Sequence, residues 1–256
     1  MTYPRLHRRR PRRAAPTPVW LFDLDNTLHA ASRAVFPAIN EAMTQYIVDA
    51  LRITRAEADH LRTLYTQRYG ATLLGLARHH PIDLHDFLKV VHTFADLPSM
   101  LHAERGLART LAALPGRKIV LTNAPEAYAG AVLAQLGIAR LFESVVAIEH
   151  MRERDGIWRA KPDRAMLRRT LRRAGVAPAD AVLVEDTRGH LKRYRPLGIR
   201  TVWITGHLPA SGGGRPHYID HRIRSLKSLQ PGTRAWRSGR SKGRHSCSQP
   251  TGGTQP

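Results

Sequence analysis

Two carboxylates spaced two residues apart follow a short apolar run near the start of the chain. Residues 19–22 are apolar, Asp23 and Asp25 come next, and Thr27 adds a hydroxyl. Such a run is typical of a strand buried on both faces of a parallel sheet, and Asn26 favours a turn after it. Neighbouring acids repel each other unless a metal ion or a basic side chain lies between them. The stretch therefore predicts a charged site at the carboxyl end of a central strand, and an acidic turn without chemistry is the alternative.

Further polar side chains stand directly after apolar runs or directly before a predicted helix. They are Thr122 and Asn123 after residues 118–121, Glu185 and Asp186 after residues 181–184, and Lys161 before Pro162. The carboxyl ends of parallel strands meet at one edge of a sheet, so we expect these groups to converge. Carboxylate oxygens suit Mg²⁺, which keeps some waters and takes substrate phosphate as a ligand. An ammonium and a hydroxyl can hold the remaining phosphoryl oxygens.

The elements that must position these groups follow from the hydrophobic periodicity. Residues 30–103 show helical spacing without a strand-like run, and Thr54 to Glu57 has the pattern of a capping box. After residue 103, strands alternate with helices, which favours right-handed crossovers. The predicted strands are 118–121, 144–148, 181–184 and 201–204, and the predicted helices are 104–114, 126–136 and 163–174.

This pattern predicts an α/β fold with a Rossmann-like, doubly wound parallel sheet. Residues 18–29 and 104–230 would form the core, and residues 30–103 would be a helical cap inserted after the first strand. We expect that insert to lie over the carboxyl ends of the sheet, above the charged site.

The chain is strongly basic, and the charge is concentrated at its ends. The formal net charge is +21, from 41 Lys and Arg against 20 Asp and Glu. Residues 1–17 and 231–256 contain basic side chains and no acid, so we expect basic, disordered arms that bind nucleic acid non-specifically at most. A single cysteine, Cys247, and the lack of a long apolar run predict a cytoplasmic protein without a membrane segment.

The ordered set of motifs resembles the haloacid dehalogenase (HAD) superfamily of aspartate-nucleophile phosphatases. The resemblance covers about residues 18–206. The four matching motifs are Asp23-Leu24-Asp25-Asn26-Thr27, Thr122-Asn123, Lys161-Pro162 and Glu185-Asp186. It implies a Mg²⁺-dependent phosphomonoesterase with a small phosphorylated substrate. Dehalogenases of this superfamily lack an aspartate at the second acidic position, so Asp25 favours a phosphatase or a phosphomutase.

The resemblance also implies roles for individual residues. Asp23 would attack phosphorus and form an aspartyl-phosphate. Asp25 would protonate the leaving alkoxide and then activate water. The side chain of Asp23, the backbone carbonyl of Asp25 and Asp186 would hold the metal.

The remaining motif residues would support those groups. Thr122 and Lys161 would stabilise charge on the transferring phosphoryl group. Glu185 and Thr27 would contact the groups that hold the metal rather than the ion itself.

A narrower resemblance is to the pyrimidine 5′-nucleotidase-like branch, through Asp25-Asn26-Thr27-Leu28 and the segment 69–76. It implies hydrolysis of UMP- or CMP-like nucleoside monophosphates, with substrate contacts from Asn123, Arg68, Tyr69 and Leu73. His190 departs from the branch, which often has asparagine there. The alternatives are a phosphatase for another small phosphate ester, such as a sugar or cofactor phosphate, a phosphomutase, or a nucleic-acid-binding protein that uses its basic arms.

Two further features have competing interpretations. Four histidines, at positions 79, 80, 85 and 92, suggest a metal cluster, but solvated helix faces are the favoured interpretation. Trp158 could stack on a base, but packing within its loop is favoured over that role.

Overall fold

The computed structural model describes residues 17–208 and 214–229 of the 256-residue chain. The predicted basic arms lie outside the described residues, apart from Thr17. Among the described helices, none combines the length and the apolar character that crossing a bilayer requires.

Six parallel strands form one sheet in the order β3-β2-β1-β4-β5-β6. The strands are β1 (Val19–Phe22), β2 (Arg117–Leu121), β3 (Ser144–Val146), β4 (Ala181–Glu185), β5 (Arg200–Ile204) and β6 (His221–Ile223). Strands β2 and β3 lie on one side of β1, and strands β4, β5 and β6 lie on its other side. The doubly wound α/β fold predicted from the sequence is confirmed, with β1 at the point where the strand order reverses.

Ten α-helices connect and flank these strands in the described part of the chain. They are α1 (Val35–Leu51), α2 (Arg55–Tyr69), α3 (Thr72–His79), α4 (Leu84–Val91), α5 (Leu97–Met100), α6 (Leu107–Ala113), α7 (Glu126–Gln135), α8 (Ile148–Met151), α9 (Arg164–Arg173) and α10 (Arg188–Tyr194). We call residues 30–103, which contain α1 to α5, the helical block. Short 3₁₀ segments lie at Ala31–Arg33, Ala139–Leu141, Pro178–Asp180, Arg195–Leu197 and Leu226–Leu229.

The register of the central strands aligns the polar residues that follow them. Phe22 pairs with Val120 of β2 and with Val184 of β4. Glu185 therefore lies level with Asp23, whose backbone N–H donates to the Val184 carbonyl at 3.0 Å. Alternation along β1 sends successive side chains into two hydrophobic clusters on opposite faces of the sheet, with Trp20 and Phe22 on one and Val19 and Leu21 on the other.

The helical block has its own hydrophobic cluster, which includes Ile47, Leu76 and Phe87. Ile148 and Ala160 of the sheet-containing part belong to the same cluster. The block is therefore packed directly onto the loops that follow β3.

Several element boundaries have clear local causes. The capping box is present, because Thr54 Oγ1 accepts from the Glu57 N–H at 3.3 Å and Glu57 Oε2 accepts from the Thr54 N–H at 2.8 Å. The helix expected from residue 104 begins at Leu107, since Gly106 has φ +79°, outside helical geometry. The strand expected over residues 144–148 ends at Val146, because Ile148 already opens α8. The sequence pattern missed the one-turn helix α5, in which Asp96 caps the Ser99 N–H at 3.3 Å.

The contact of α2 with α3 gives a test of packing. A Cβ added at Gly75 would lie 2.1 Å from Cγ of Tyr65. We expect Gly75→Ala to lower the free energy of unfolding by about 1–3 kcal/mol, as overpacking does. Chemical denaturation measures this change.

Gly130 in α7 provides the matched control, because nothing lies within 4 Å of a Cβ added there. Gly130→Ala should stabilise the protein by about 0.5–1 kcal/mol through helix propensity. A Gly75→Ala protein as stable as the wild type would contradict the packing of α2 on α3.

Candidate active site

A buried ammonium joins two carboxylates at the carboxyl edge of the sheet. Lys161 Nζ donates to Oδ1 of Asp23 at 2.6 Å and to Oε2 of Glu185 at 2.9 Å. The exposed fractions of Lys161, Asp23 and Glu185 are 2%, 6% and 0%. Asp23 follows β1 and Glu185 ends β4, so the parallel register creates this pair of acids and the loop before α9 supplies the base.

The backbone of Lys161 is held by the side chain of Asn123. Asn123 Oδ1 accepts from the Lys161 N–H at 2.7 Å, and Asn123 Nδ2 donates to the Lys161 carbonyl at 3.2 Å. Asn123 was predicted to bind substrate. The structure instead uses both of its polar groups to place Lys161, although Asn123 also lines the cavity described below.

Burial and mutual charge determine the protonation tendencies of this cluster. Burial and the nearby Glu185 raise the pKa of Asp23 well above its usual range, while Lys161 opposes this shift. Burial alone would raise the pKa of Glu185, but Lys161 and then His190 hold it well below its usual range. Burial disfavours the Lys161 ammonium, but the two carboxylates outweigh it and raise the pKa of Lys161. The ammonium is therefore charged at neutral pH.

Asp186 adds a third carboxylate to the cluster. Asp23, Glu185 and Asp186 each place one oxygen within 4.8 Å of the others. Burial and Glu185 raise the pKa of Asp186 to about 7. Trp203 Nε1 donates to the Asp186 carbonyl at 2.9 Å and fixes the backbone there.

This donor set fits Mg²⁺. Three carboxyl groups lie beside one ammonium, and hard oxygens are the ligands that Mg²⁺ prefers. Two of the three are already bound to Lys161 through one oxygen each. The free oxygens of Asp23 and Asp186 remain available to an ion.

Asp25 has partners different from those of Asp23. Its Oδ1 accepts from the Tyr128 hydroxyl at 2.7 Å and lies 3.0 Å from Nε2 of His29. His29 is completely buried, and burial followed by the charge of Asp25 raises the pKa of the Tyr128 phenol. Tyr128 therefore stays a hydrogen-bond donor, and Asp25 is held in one orientation without being bound to Lys161.

The two threonines of the motifs are both buried. Thr122 Oγ1 accepts from the Ala124 N–H at 3.0 Å and lines the cavity. Thr27 is 1% exposed, and its hydroxyl has no hydrogen-bond partner among the described residues. Thr27 is not among the described residues that line that cavity.

His190 takes up a position beside the buried acids. Its Nδ1 lies 3.1 Å from Oε2 of Glu185, and its ring lines the cavity. His190, the residue that departs from the nucleotidase pattern, therefore faces Glu185 and helps to lower the pKa of that carboxyl.

A cavity of about 510 Å³ joins these groups to the helical block. The sheet side contributes Asp23, Asp25, Thr122, Lys161, Asp186 and His190. The helical block contributes Phe36, Ile39, Asn40, Met43, Arg62, Thr63, Thr66, Gln67 and His92. The wall opposite the acids is therefore part apolar and part polar, and it includes a guanidinium.

The structure does not bring the predicted substrate contacts of the insert to this cavity. Arg68 and Tyr69 line a different cavity, and Leu73 is 4% exposed within the cluster of the helical block. Along α2, the helical repeat places Arg68 on a different face from Arg62 and Thr66, whereas Tyr69 lies about 10 Å further along the helix axis than Arg62.

The four histidines have separate partners. His79 Nε2 lies 2.7 Å from the Tyr69 hydroxyl, and His80 Nε2 lies 2.7 Å from the Tyr65 hydroxyl. The ring of His85 lies 5.2 Å from that of Trp158, which agrees with loop packing for that tryptophan. His92 differs from the solvated histidine that we expected.

The His92 ring lies 5.4 Å from that of Tyr128 and faces the cavity.

Sequence reasoning missed His29, Tyr128 and Arg62, which come close to the motif residues only in the folded chain. His29 and Tyr128 each lie close to a motif, since His29 is four residues after Asp25 and Tyr128, the third residue of α7, is five residues after Asn123. Arg62 has no such signal.

The buried ammonium gives a pH-dependent test. Lys161→Met leaves two buried acids without their cation, so we expect a loss of about 3–5 kcal/mol in unfolding free energy at pH 8. Because Glu185 has a lowered pKa in the wild type, its stabilisation is present above the pKa of an unfolded glutamate. In the variant, burial raises the pKa of both acids, so rising pH costs stability. The loss should therefore be smaller at pH 5, measured by urea unfolding in EDTA.

Lys118→Met is the matched control. Lys118 is also buried, but its Nζ donates to the carbonyls of Leu114 at 2.7 Å and Gly116 at 3.1 Å. The loss of unfolding free energy in Lys118→Met should be the same at pH 5 and pH 8. Equal pH profiles for the two variants would contradict the assigned ion pairs.

Curated proteins that resemble this chain include phosphatases. "Phosphate metabolism protein 8" of Saccharomyces cerevisiae is 26% identical over 193 residues, which is 71% of this chain and 59% of that protein. A phosphoglycolate phosphatase of Pseudomonas putida is 28% identical over 116 residues, which is 44% of this chain and 39% of that protein. The chain thus spans between about two-fifths and three-fifths of the length of these relatives.

The fold is shared with solved structures. The structure of CbbY from Rhodobacter sphaeroides in complex with phosphate matches with a TM-score of 0.58 and 20% identity, over 86% of this chain and 98% of that one. This similarity concerns the fold. A family model described as haloacid dehalogenase-like hydrolase matches residues 19–192, about two-thirds of the chain. The chain belongs to the haloacid dehalogenase-like hydrolase family.

Proposed function

We propose that this chain is a Mg²⁺-dependent phosphomonoesterase that works through an aspartyl-phosphate. The observation that supports this most is the placement of Asp23 and Asp25 in one cavity with different partners. Asp23 contacts the Lys161 ammonium at 2.6 Å, whereas Asp25 contacts the Tyr128 hydroxyl at 2.7 Å. When two carboxylates lie in distinct environments, one can serve as the nucleophile and the other as the general acid and base.

The proposed reaction has two displacements. A carboxylate oxygen of Asp23 attacks phosphorus, the bond from phosphorus to the ester oxygen breaks, and Asp25 gives its proton to the leaving alkoxide. Water then attacks phosphorus, Asp25 takes a proton from that water, and the bond to Asp23 breaks. Orthophosphate leaves and both aspartates return to their starting state.

Charge on the transferring group needs fixed positive partners. Lys161 and Thr122 line the cavity beside Asp23 and can receive phosphoryl oxygens. Mg²⁺ would be held by Asp23, the Asp25 carbonyl and Asp186, and when bound it would supply positive charge against the phosphate oxygens. Glu185 and Thr27 would support these groups from behind.

For the substrate we propose a pyrimidine nucleoside monophosphate. The cavity of about 510 Å³ exceeds what a phosphoryl group alone needs. Its far wall offers Phe36, Ile39 and Met43 for a flat ring, and Asn40 and Arg62 for polar edges. We propose that the helical block acts as a cap that closes over the base and excludes water.

A smaller ester is the second candidate. The similarity to a protein named phosphoglycolate phosphatase favours it, and such a substrate would use Arg62 for its carboxylate. A phosphomutase would need the same core and retention of a bisphosphorylated intermediate. We place the protein in the cytoplasm as part of this proposal.

The nucleophile is tested by phosphate release from UMP, CMP and phosphoglycolate in Mg²⁺. Asp23→Asn should reduce turnover by a factor on the order of 10³ or more, because the attacking carboxylate is lost. Asp49→Asn, an exposed acid outside this cavity, is the control and should keep wild-type turnover. Normal turnover by Asp23→Asn would refute the assignment.

Arg62 tests the substrate class. Its Nε donates to Thr44 Oγ1 at 3.2 Å, Nη1 to Asn40 Oδ1 at 3.0 Å, and Nη2 to Asp59 Oδ1 at 3.3 Å. A guanidinium has five N–H donors, so two remain for a ligand. We expect Arg62→Gln to raise the KM for UMP about tenfold, the effect of one charge-assisted hydrogen bond.

Arg55→Gln is the control on the same helix, since Arg55 is exposed and pairs with Glu41. The KM for p-nitrophenyl phosphate, which offers no second polar group of this kind, should stay within about twofold in both variants. An unchanged KM for UMP in Arg62→Gln would argue against nucleotide recognition by this wall.

A further inference from the structure

A second cavity, of about 790 Å³, lies between the helical block and the loop that leads into α9. Six arginines line it, namely Arg68, Arg78, Arg152, Arg159, Arg164 and Arg193. We call it the arginine cavity. In the described part of the chain its walls do not include Asp23, Asp25 or Asp186, so it is separate from the candidate active site.

The positive charge of this cavity is poorly neutralised. Its two acids are engaged locally, because Asp155 Oδ1 accepts from the Ile157 N–H at 3.1 Å and Asp163 Oδ1 accepts from the Met166 N–H at 2.8 Å. Arg159 pairs with Glu153 at 3.0 Å and with Asp163 at 3.5 Å. Within residues 17–208 and 214–229, the other five arginines of the cavity have no carboxylate partner.

Some arginines elsewhere on the surface have a carboxylate partner. Arg117 forms a two-point contact with Glu143 at 2.6 and 2.7 Å. Arg195 pairs with Asp220 at 2.8 Å. What distinguishes the arginine cavity is that, in the described part of the chain, five guanidinium groups without a carboxylate partner surround one cavity.

Stacking holds several of these groups in place. The guanidinium carbons of Arg68 and Arg78 lie 5.5 and 5.2 Å from the centre of the Tyr69 ring. Arg152 lies 5.5 Å from the centre of the Trp158 ring. A guanidinium stacked on an aromatic ring loses less freedom when it binds an anion, and its planar fork matches phosphate oxygens.

The arginines come from both walls of the cavity. Arg68 and Arg78 belong to the helical block, whereas Arg152, Arg164 and Arg193 belong to the sheet-containing part. Without an anion, these like charges repel each other across the cavity. A ligand with one negative group cannot neutralise both walls, but a chain of phosphates can.

We propose that the arginine cavity binds a linear oligophosphate chain and so links the helical block to the sheet. The chain would be free, as in tripolyphosphate, or part of a nucleoside triphosphate. This site does not depend on the proposed reaction at Asp23. It adjoins that site, because a Cβ added at Gly70 would lie 3.6 Å from both the Lys161 carbonyl and Pro162.

The test is calorimetric titration of the full chain with tripolyphosphate and with ATP, in EDTA. Arg68→Gln/Arg78→Gln changes one wall and Arg193→Gln changes the other. Each variant should weaken binding of tripolyphosphate at least about tenfold, as the loss of one charge-assisted contact does. None of these readouts uses turnover, so failure of the proposed phosphatase activity would appear separately.

Arg172→Gln/Arg173→Gln is the matched control, since it removes the same charge from exposed positions at the end of α9. Its affinity should stay within about twofold of the wild type. Comparable affinity for tripolyphosphate and ATP would show that the phosphate chain is recognised. No binding of tripolyphosphate, binding of ATP alone, or equal weakening in control and cavity variants would overturn the proposal.

Discussion

The ammonium of Lys161 between Asp23 and Glu185 is the constraint on which the candidate active site depends. Parallel pairing of β1 with β4 brings the two acids level, and burial would make both costly without a cation. Asn123 fixes the backbone of Lys161 through two hydrogen bonds, so the Lys161 ammonium is held at one position. The loop before α9 is thereby tied to the end of β2.

This arrangement divides two neighbouring aspartates into different chemical environments. Asp23 shares a buried cation, whereas Asp25 accepts from Tyr128 and faces His29. Both line a cavity whose opposite wall comes from α1 and α2 of the helical block. Under the proposed reaction, the core would supply the reacting groups and the block would supply the surface that selects a substrate, which is why the shared fold alone leaves the substrate open.

Helix α2 separates two cavities of contrasting charge. One of its faces turns Arg62 toward an acidic cluster, and Arg62 is itself held by Asp59 and Asn40. The other turns Arg68 toward the arginine cavity, where carboxylates are few. The end of the same helix adjoins the Lys161 loop, since a Cβ added at Gly70 would lie 3.6 Å from the Lys161 carbonyl.

The sequence alone was enough to predict the sheet, the helical insert and the convergence of the acids with Lys161. Those features follow from local periodicity and from the rule that parallel strands end at one edge. Which side chains of the insert face the acids was decided by tertiary structure, because the packing of α2 places Arg62 at the cavity with the acids and Arg68 at the arginine cavity. The roles of Tyr128, His29 and Asn123 were decided there too. A hydrogen bond between residues 103 positions apart, as from Tyr128 to Asp25, depends on how a helix packs on the sheet, and no local pattern records that packing.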